Sequence, residues 1–334
     1  MNLPKITIIT PSFNQGAFIE QTIESVLSQN YPALEYFIFD GGSTDNTLNI
    51  IKRYEKHISY YVSAPDRGQS HAINQGIERA TGKVINWLNA DDFYMPDALR
   101  LVGECFEDPN TKVVMARSRI FEHPNKTVSY SKGTDFFPKN LSKTIGQARI
   151  DQPETFFRKE AFDAVGLLNE HLHYLMDREW WIRYLLHFGL EGILPIEAVI
   201  VNFRLHNQSK TMTQQKHFAK ERAMIWAAFA EMSSVETVFI EKIKKLDSIE
   251  ITDDLNFSGK TIPNTNQATE ILQYYALLRA EECYCEYDAE ATQQWLQLAK
   301  MTIWNDKMAQ KWWRRLWYRN QIPVFLRKFI QKQK

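Results

Sequence analysis

Four short apolar runs, Ile6 to Thr10, Leu34 to Phe39, Ser59 to Ser63 and Val84 to Asn89, punctuate the first 90 residues. Runs of this length, closed by Asn, Asp, Gly or Pro, predict strands. Between them the apolar period changes. Ile19, Ile23, Val26 and Leu27 fall at i, i+4, i+7 and i+8, and Ile73, Gly76, Ile77 and Ala80 trace a similar face, so both stretches predict helices. Ser70 is the expected N-cap of the second and Gly82 its expected stop. Leu48 and Ile51 mark a shorter helix after the Gly41-Gly42-Ser43 turn, and Pro96 suits the first position of a helix running through Phe106. Strands that alternate with helices at this spacing need crossover connections, which makes the sheet mostly parallel and the fold class α/β.

Beyond residue 110 the pattern loosens. Val113 to Tyr130 reads as β structure, and Phe156 to Gly166 and Glu179 to Phe188 as helices. After about Thr211 come long helical stretches, Lys220 to Leu246 and Ala268 to Thr302, parted by a polar linker from Asp247 to Gln267. The expected organisation is a domain over 1–211, with halves 1–110 and 111–211, and a helical C-terminal region over 212–334. A chain of 334 residues accommodates both.

Charge alters this picture by what it removes. Lys plus Arg and Asp plus Glu number 40 each, so no overall field draws the molecule to nucleic acid, and any electrostatic specialisation is local. Cys105, Cys283 and Cys285 are an odd set without zinc-type spacing, which suits a reducing compartment. Cys283-Tyr284-Cys285 reads as ordinary helix. Met1 leads into Lys5-Ile6-Thr7-Ile8-Ile9 without the pattern of a signal peptide. No apolar run approaches the roughly 18 residues of a membrane span. The expectation is a cytoplasmic protein, peripheral on the inner face of the cell membrane if a surface helix docks on lipid.

Ligands of open parallel sheets bind beyond the carboxyl ends of the strands. The four strands here end in Pro11-Ser12-Phe13-Asn14, Asp40-Gly41-Gly42-Ser43, Asp66-Arg67-Gly68 and Asn89-Ala90-Asp91-Asp92. Each alone is turn composition. Together they place three acidic sites on one edge, and a shared ligand accounts for all of them. Neither G-x-G-x-x-G nor G-x-x-x-x-G-K-[ST] occurs, so a phosphate group needs another partner. A hard divalent cation between a carboxylate and a diphosphate would relieve the repulsion of Asp91 and Asp92.

Five stretches, ITIITPSFNQGAFIEQTIESVLSQNYP, FIFDGGSTDNT, APDRGQSHAINQGIERATGKVINWLNADD, MDREWWIRY and FRLHNQSKT, resemble in order and spacing the inverting family 2 glycosyltransferases of the GT-A fold, over about Pro4 to Thr211. The resemblance implies a nucleotide-diphospho-sugar transferase fold and transfer from a nucleoside-diphosphate sugar, a UDP-sugar being favoured, to a hydroxyl of a glycan or lipid-linked acceptor. It implies Mg²⁺ or Mn²⁺ as cofactor. Pro11 and Phe13 then wall the donor base, Asp40 accepts from a base N–H, and Asp66 and Arg67 border the nucleotide. Asp91 corresponds to the acid that contacts ribose and Asp92 to the metal ligand. Asn89 departs from a literal Asp-x-Asp.

Inverting transfer needs a base for the acceptor hydroxyl. The resemblance puts Asp177 there, with Met176 in place of the usual preceding acid. Asp177 also reads as an N-cap for the helix that ends at Gly189, and the two roles are compatible. His206 corresponds to a histidine near the metal or diphosphate. Lys311 to Lys334 carries eight Lys or Arg and no acid, interleaved with aromatics. That stretch suits either an interfacial helix pair on an anionic leaflet or a helix pair packed on the core. Two other functions compete with sugar transfer. One is a catalytically silent nucleotide-sugar-binding or membrane-scaffold protein, motivated by Met176. The other is a sugar-phosphate nucleotidylyltransferase, which the missing glycine-rich basic loop disfavours.

Overall fold

Strand β1 (Ile6–Ser12) is buried along its whole length, because β2 (Leu34–Asp40) and β4 (Val84–Trp87) flank it in parallel. β3 (Tyr60–Ser63) adds a further parallel edge beside β2. The connecting helices are α1 (Ile19–Leu27), α2 (Thr47–Arg53) and α3 (Gln69–Arg79). Ile6, Ile8, Ile38 and Val84 from the sheet, with Leu88 just beyond β4, pack with Ile19, Ile23 and Val26 of α1 in one apolar cluster. Burial on both faces is what their continuous apolar runs require.

The second half of the sheet turns antiparallel. After β5 (Phe93–Tyr94) and α4 (Ala98–Cys105) come β6 (Val113–His123), β7 (Lys126–Tyr130), α5 (Leu141–Gln147), β8 (Thr155–Arg158), α6 (Lys159–Val165), α7 (Met176–Phe188) and β9 (Ile193–Arg204). The strand order is β3-β2-β1-β4-β8-β6-β9-β5, with β7 paired to β6. β8 runs antiparallel to both β4 and β6, β5 antiparallel to β9, and β6 parallel to β9. The result is a mixed α/β sheet whose parallel half carries the loops of interest. The remaining helices are α8 (Lys210–Thr213), α9 (Gln215–Met232), α10 (Thr237–Leu246), α11 (Thr265–Cys285), α12 (Ala289–Ala299), α13 (Lys307–Asn320) and α14 (Val324–Gln331).

This computed structural model describes residues 3–123, 126–207, 209–235, 237–246, 255, 257, 261–299 and 306–331. Most of the linker expected over Asp247 to Gln267, and the end of the helix expected at Thr302, lie outside them. The chain forms two compact units. One runs to Phe136 and resumes over Arg149–Phe218, and the other takes Phe137–Ala148 and the helices from Ala219 onward. The second unit thus includes α5, drawn from the middle of the span expected to be one domain. Gly146 permits this, since a Cβ there would meet Ile271 O and Tyr274 Cβ at 2.6 Å. No helix among the described residues is long and apolar enough to cross a membrane.

Several local expectations need correction. Ser70 does not cap α3: Gly68 holds the N-cap position, and the buried Ser70 hydroxyl donates to Leu172 O at 2.7 Å. Gly82 stands beyond the helix end at Ala80, and its need is space, because a Cβ there would come within 2.4 Å of Thr7 Oγ1. α4 starts at Ala98 behind a left-handed Asp97 (φ 62°), so Pro96 precedes the helix. Phe156 and Phe157 are strand rather than helix. A short apolar run carries no decisive period, and here pairing with β4 and β6 decides it. The helix expected from Lys220 to Leu246 breaks near Ser234, which is left-handed (φ 52°). Cys283 is buried and Cys285 exposed on α11.

Candidate active site

The loops after β1 and β2 are tied together. Asn14 N donates to Ser43 Oγ at 2.7 Å, Thr44 N to Asn14 Oδ1 at 2.9 Å, Gln15 N to Thr47 Oγ1 at 2.9 Å and Gly16 N to Asp45 Oδ2 at 2.9 Å. Asn14 pays for its place in this lacing with a left-handed backbone (φ 52°). The arrangement holds Phe13 out from the loop with 59% of its surface exposed, although it is a large aromatic. Phe13 and Pro11 line one wall of a cavity of about 1170 Å³. That volume exceeds most small-ligand pockets, which run to about 1,000 Å³.

Asp40 and Arg67 are not among the lining residues, whereas Asp66 is. The Asp40 carboxylate is buried and already occupied, accepting from Ser43 N at 3.0 Å, Ser43 Oγ at 2.5 Å and Ser63 Oγ at 2.6 Å. Arg67 pairs with Glu170 Oε2, at 2.9 Å through Nε and 2.6 Å through Nη2. Asp66 Oδ1 accepts from Gly68 N at 2.7 Å, and its other oxygen lies where a Cβ on Gly41 would meet it at 3.0 Å.

Two adjacent acids line the cavity beyond β4. Asp91 Oδ2 lies 3.0 Å from His206 Nε2, and both residues line the cavity. His206 also packs on Phe18, with ring centroids 4.6 Å apart. Asp92 lies deeper, 1% exposed, and its Oδ1 accepts from Arg204 N at 2.9 Å. Its Oδ2 is buried with no hydrogen-bond partner among the described residues. Burial and the neighbouring Asp91 carboxylate push Asp92 well above the ordinary carboxylate range. Arg204 braces the turn by donating Nε to Asp91 O at 3.0 Å and Nη2 to Gln21 Oε1 at 2.6 Å. Thr22 Oγ1 lies within donating distance of Ala90 O and Asp92 O, at 2.8 and 2.7 Å. Asn89 accepts from Gln69 Nε2 at 2.8 Å.

On the acceptor-facing side expected of the second half, Met176, Asp177 and Arg178 line the cavity at the start of α7. Leu175 holds the N-cap position, so Asp177 is the second residue of the helix. It accepts from Arg178 N at 2.7 Å through Oδ1. α7 is anchored one turn further on. Trp180 Nε1 donates to Gly166 O at 2.7 Å, and Arg183 makes two 2.8 Å bonds to the Glu179 carboxylate while donating to Val165 O and Leu167 O. Trp180 and Trp181 are fully buried. A half-buried carboxylate is thereby held on a stiff element at the cavity wall.

Many cavity residues went unassigned in the sequence, Arg149, Asp151, Glu154 and Lys210 among them. Glu154 is buried, accepts from Ser118 Oγ at 2.9 Å and Ser131 Oγ at 2.6 Å, and is pushed up to about 8 by burial and then by Asp151. Arg149 joins Asp151 and Asp135 at 2.5 and 2.9 Å. Lys210 Nζ donates to Gln69 Oε1 at 2.8 Å and His173 O at 2.9 Å. A signal existed for Glu154: an acid entering the apolar run Thr155-Phe156-Phe157 is as unusual as the acids that end β4. Among the described residues no three His, Cys, Asp or Glu side chains converge to hold a metal unaided. Asp91 with His206, above the unpartnered Asp92 oxygen, fits a hard cation that takes its other oxygens from a diphosphate.

A family model described as glycosyl transferase family 2 matches residues 7–166. An uncharacterized glycosyltransferase of Nostoc sp. is 32% identical over 262 residues, covering 76% of this chain and 81% of that protein. The putative teichuronic acid biosynthesis glycosyltransferase TuaG of Bacillus subtilis is 33% identical over 136 residues, which is 39% of this chain and 50% of TuaG. Among solved structures, residues 1–349 of S. aureus TarS in complex with UDP-GlcNAc align with a TM-score of 0.59 at 15% identity, covering 88% of this chain and 79% of that one. That last likeness is one of fold.

Proposed function

The chain belongs to glycosyl transferase family 2, and from that membership we propose that it moves a sugar from a nucleoside-diphosphate sugar to an acceptor hydroxyl with inversion at the anomeric carbon. The observation that carries this reading is one cavity lined by an exposed aromatic, Phe13, by the Asp91–His206 pair and by Asp177. A nucleotide base finds a stacking face on Phe13 beside Pro11, and Asp66 borders the nucleoside. A nucleotide sugar as donor is consistent with the UDP-GlcNAc held by TarS, and a UDP-sugar is the first donor to try.

Asp91 and His206 would hold Mg²⁺ or Mn²⁺ at the donor diphosphate. Asp92, expected as the metal ligand, keeps one oxygen on the Arg204 amide and has its Oδ2 without a hydrogen-bond partner among the described residues, so it stays a candidate ligand beside them. When bound, the cation neutralises charge on the departing nucleoside diphosphate. Arg204 keeps the acidic turn in place, and the Lys210 ammonium adds positive charge at the same cavity. Asp177 takes the proton from the acceptor hydroxyl as that oxygen attacks the face opposite the leaving group. Arg149, Asp151 and Glu154 offer polar contacts to sugar hydroxyls. A glycan or lipid-linked acceptor suits the cavity's size, and the name of TuaG, a relative in teichuronic acid biosynthesis, points the same way.

The test is a thermal-shift panel of UDP-, GDP- and dTDP-sugars with and without Mn²⁺, followed by an assay of nucleoside diphosphate release. Stabilisation by one donor class that needs the cation, with release that needs an acceptor, is expected. Donor binding with no product over a broad acceptor panel would instead select the silent binding protein.

A further inference from the structure

The C-terminal helix pair divides its apolar side chains between two faces. Facing inward, Trp313 donates Nε1 to Leu296 O at 2.9 Å and stacks on Trp317 with centroids 5.2 Å apart. Leu316 is buried, and Asn320 Nδ2 donates to Ala289 O at 2.9 Å. Arg327 is buried with its guanidinium 4.9 Å over the Tyr284 ring. These contacts seat α13 and α14 on α11 and α12 of the same unit, which takes the core-packing reading of the tail as far as its tryptophans.

Other apolar side chains of the pair are exposed. Phe325 is 69% exposed and Tyr318 72%, and Ile322 and Leu326 are exposed with them. Lys311, Arg314, Arg319 and Lys328 share the exposed surface. No acid occurs from Lys307 to Lys334, in a chain whose formal charge is zero. A helix that served only to cover the core would turn Phe325 inward and place a charge outside. Arg315 pairs with Glu281 of α11, and the exposed aromatic and aliphatic side chains among the remaining cations match the boundary between anionic headgroups and acyl chains. An acidic protein would supply the charge but not a continuous apolar layer for side chains on both helices.

We propose that the exposed side of α13 and α14 is a docking surface for a bilayer containing anionic phospholipid. Phe325 and Leu326 enter the headgroup boundary, and Arg314, Arg319 and Lys328 meet the phosphates. The surface lies wholly within the helical unit and does not depend on the sugar-transfer reading.

Cosedimentation of the full chain with phosphatidylcholine vesicles, with and without phosphatidylglycerol, tests it. The protein should partition onto the anionic vesicles about tenfold or more above the neutral ones, and less as salt rises. Phe325→Ser with Leu326→Ser should weaken that partition by about tenfold, with melting unchanged because both side chains are already exposed. Arg314→Glu with Arg319→Glu should remove the anionic preference. Equal binding to both vesicles, or binding indifferent to either double substitution, overturns the proposal. So does a concentration-dependent dimer abolished by the Phe325 and Leu326 changes, which would make this face an interface between two copies.

Discussion

His206 Nε2 stands 3.0 Å from Asp91 Oδ2 across 115 residues of sequence. β9 brings them together: it pairs with β5, just beyond the acidic turn, and ends in Arg204, whose amide and guanidinium fasten that turn. Asp91 stands in the turn two residues before β5 and His206 two residues past the end of β9, so strand pairing brings the two loops together.

If this pair holds the cation, Asp91→Asn and His206→Ala should each reduce the Mn²⁺-dependent part of the donor thermal shift. In the double variant the losses should fall short of additive, with a coupling on the order of 1–3 kcal/mol. Additive losses, measured by titrating donor at fixed Mn²⁺, would assign the two residues to separate tasks.

Asp177→Asn keeps the shape of the wall and removes the proton acceptor. Release of nucleoside diphosphate should drop by about 10²- to 10⁴-fold while donor binding persists. Full turnover in this variant would refute the base assignment.

Phe13 is already exposed, so Phe13→Ala should leave the melting temperature of the free protein in place. Donor affinity should weaken by about 1–3 kcal/mol, the worth of a base stacked on an aromatic ring. Isothermal titration with the nucleoside diphosphate alone separates this loss from any contact with the sugar.

Glu154 contributes a pH dependence of known sign. Its folded pKa of about 8 lies above the ordinary 4.5, so it favours folding while protonated, and that contribution is lost as pH rises from 4.5 through about 8. Glu154→Gln should flatten the fall in melting temperature over this window, a difference on the order of a few kcal/mol. Parallel curves for the two proteins would show that the carboxyl ionises as freely as an exposed one.

What the sequence disclosed followed from periodicity and from polar residues in apolar places. The runs at Ile6, Leu34 and Val84 became the buried parallel strands, and the loops expected at one edge, carrying Phe13, Asp66 and Asp91, do line one cavity. What it concealed depended on distant partners. The Ser43 contacts of Asp40 are local, but nothing nearby in the chain indicates that Ser63 joins them, or that Arg67 turns to Glu170, 103 residues onward. Phe156 and Phe157 became strand only through β4 and β6. His206 stood out as a candidate, but its partner was set by the register of β9.

The seating of α5 bears on how the chain acquires its structure. Asn140, the N-cap of α5, donates to the Tyr274 hydroxyl, which lies 134 residues later, and Gly146 fits against the same stretch of α11. During synthesis the segment from Phe137 to Ala148 emerges long before anything exists to receive it. Its burial waits on α11, a contact of high sequence separation and correspondingly slow closure. A shortened protein ending after Phe218 would carry that helix without its counterpart, leaving the face around Gly146 uncovered and prone to self-association.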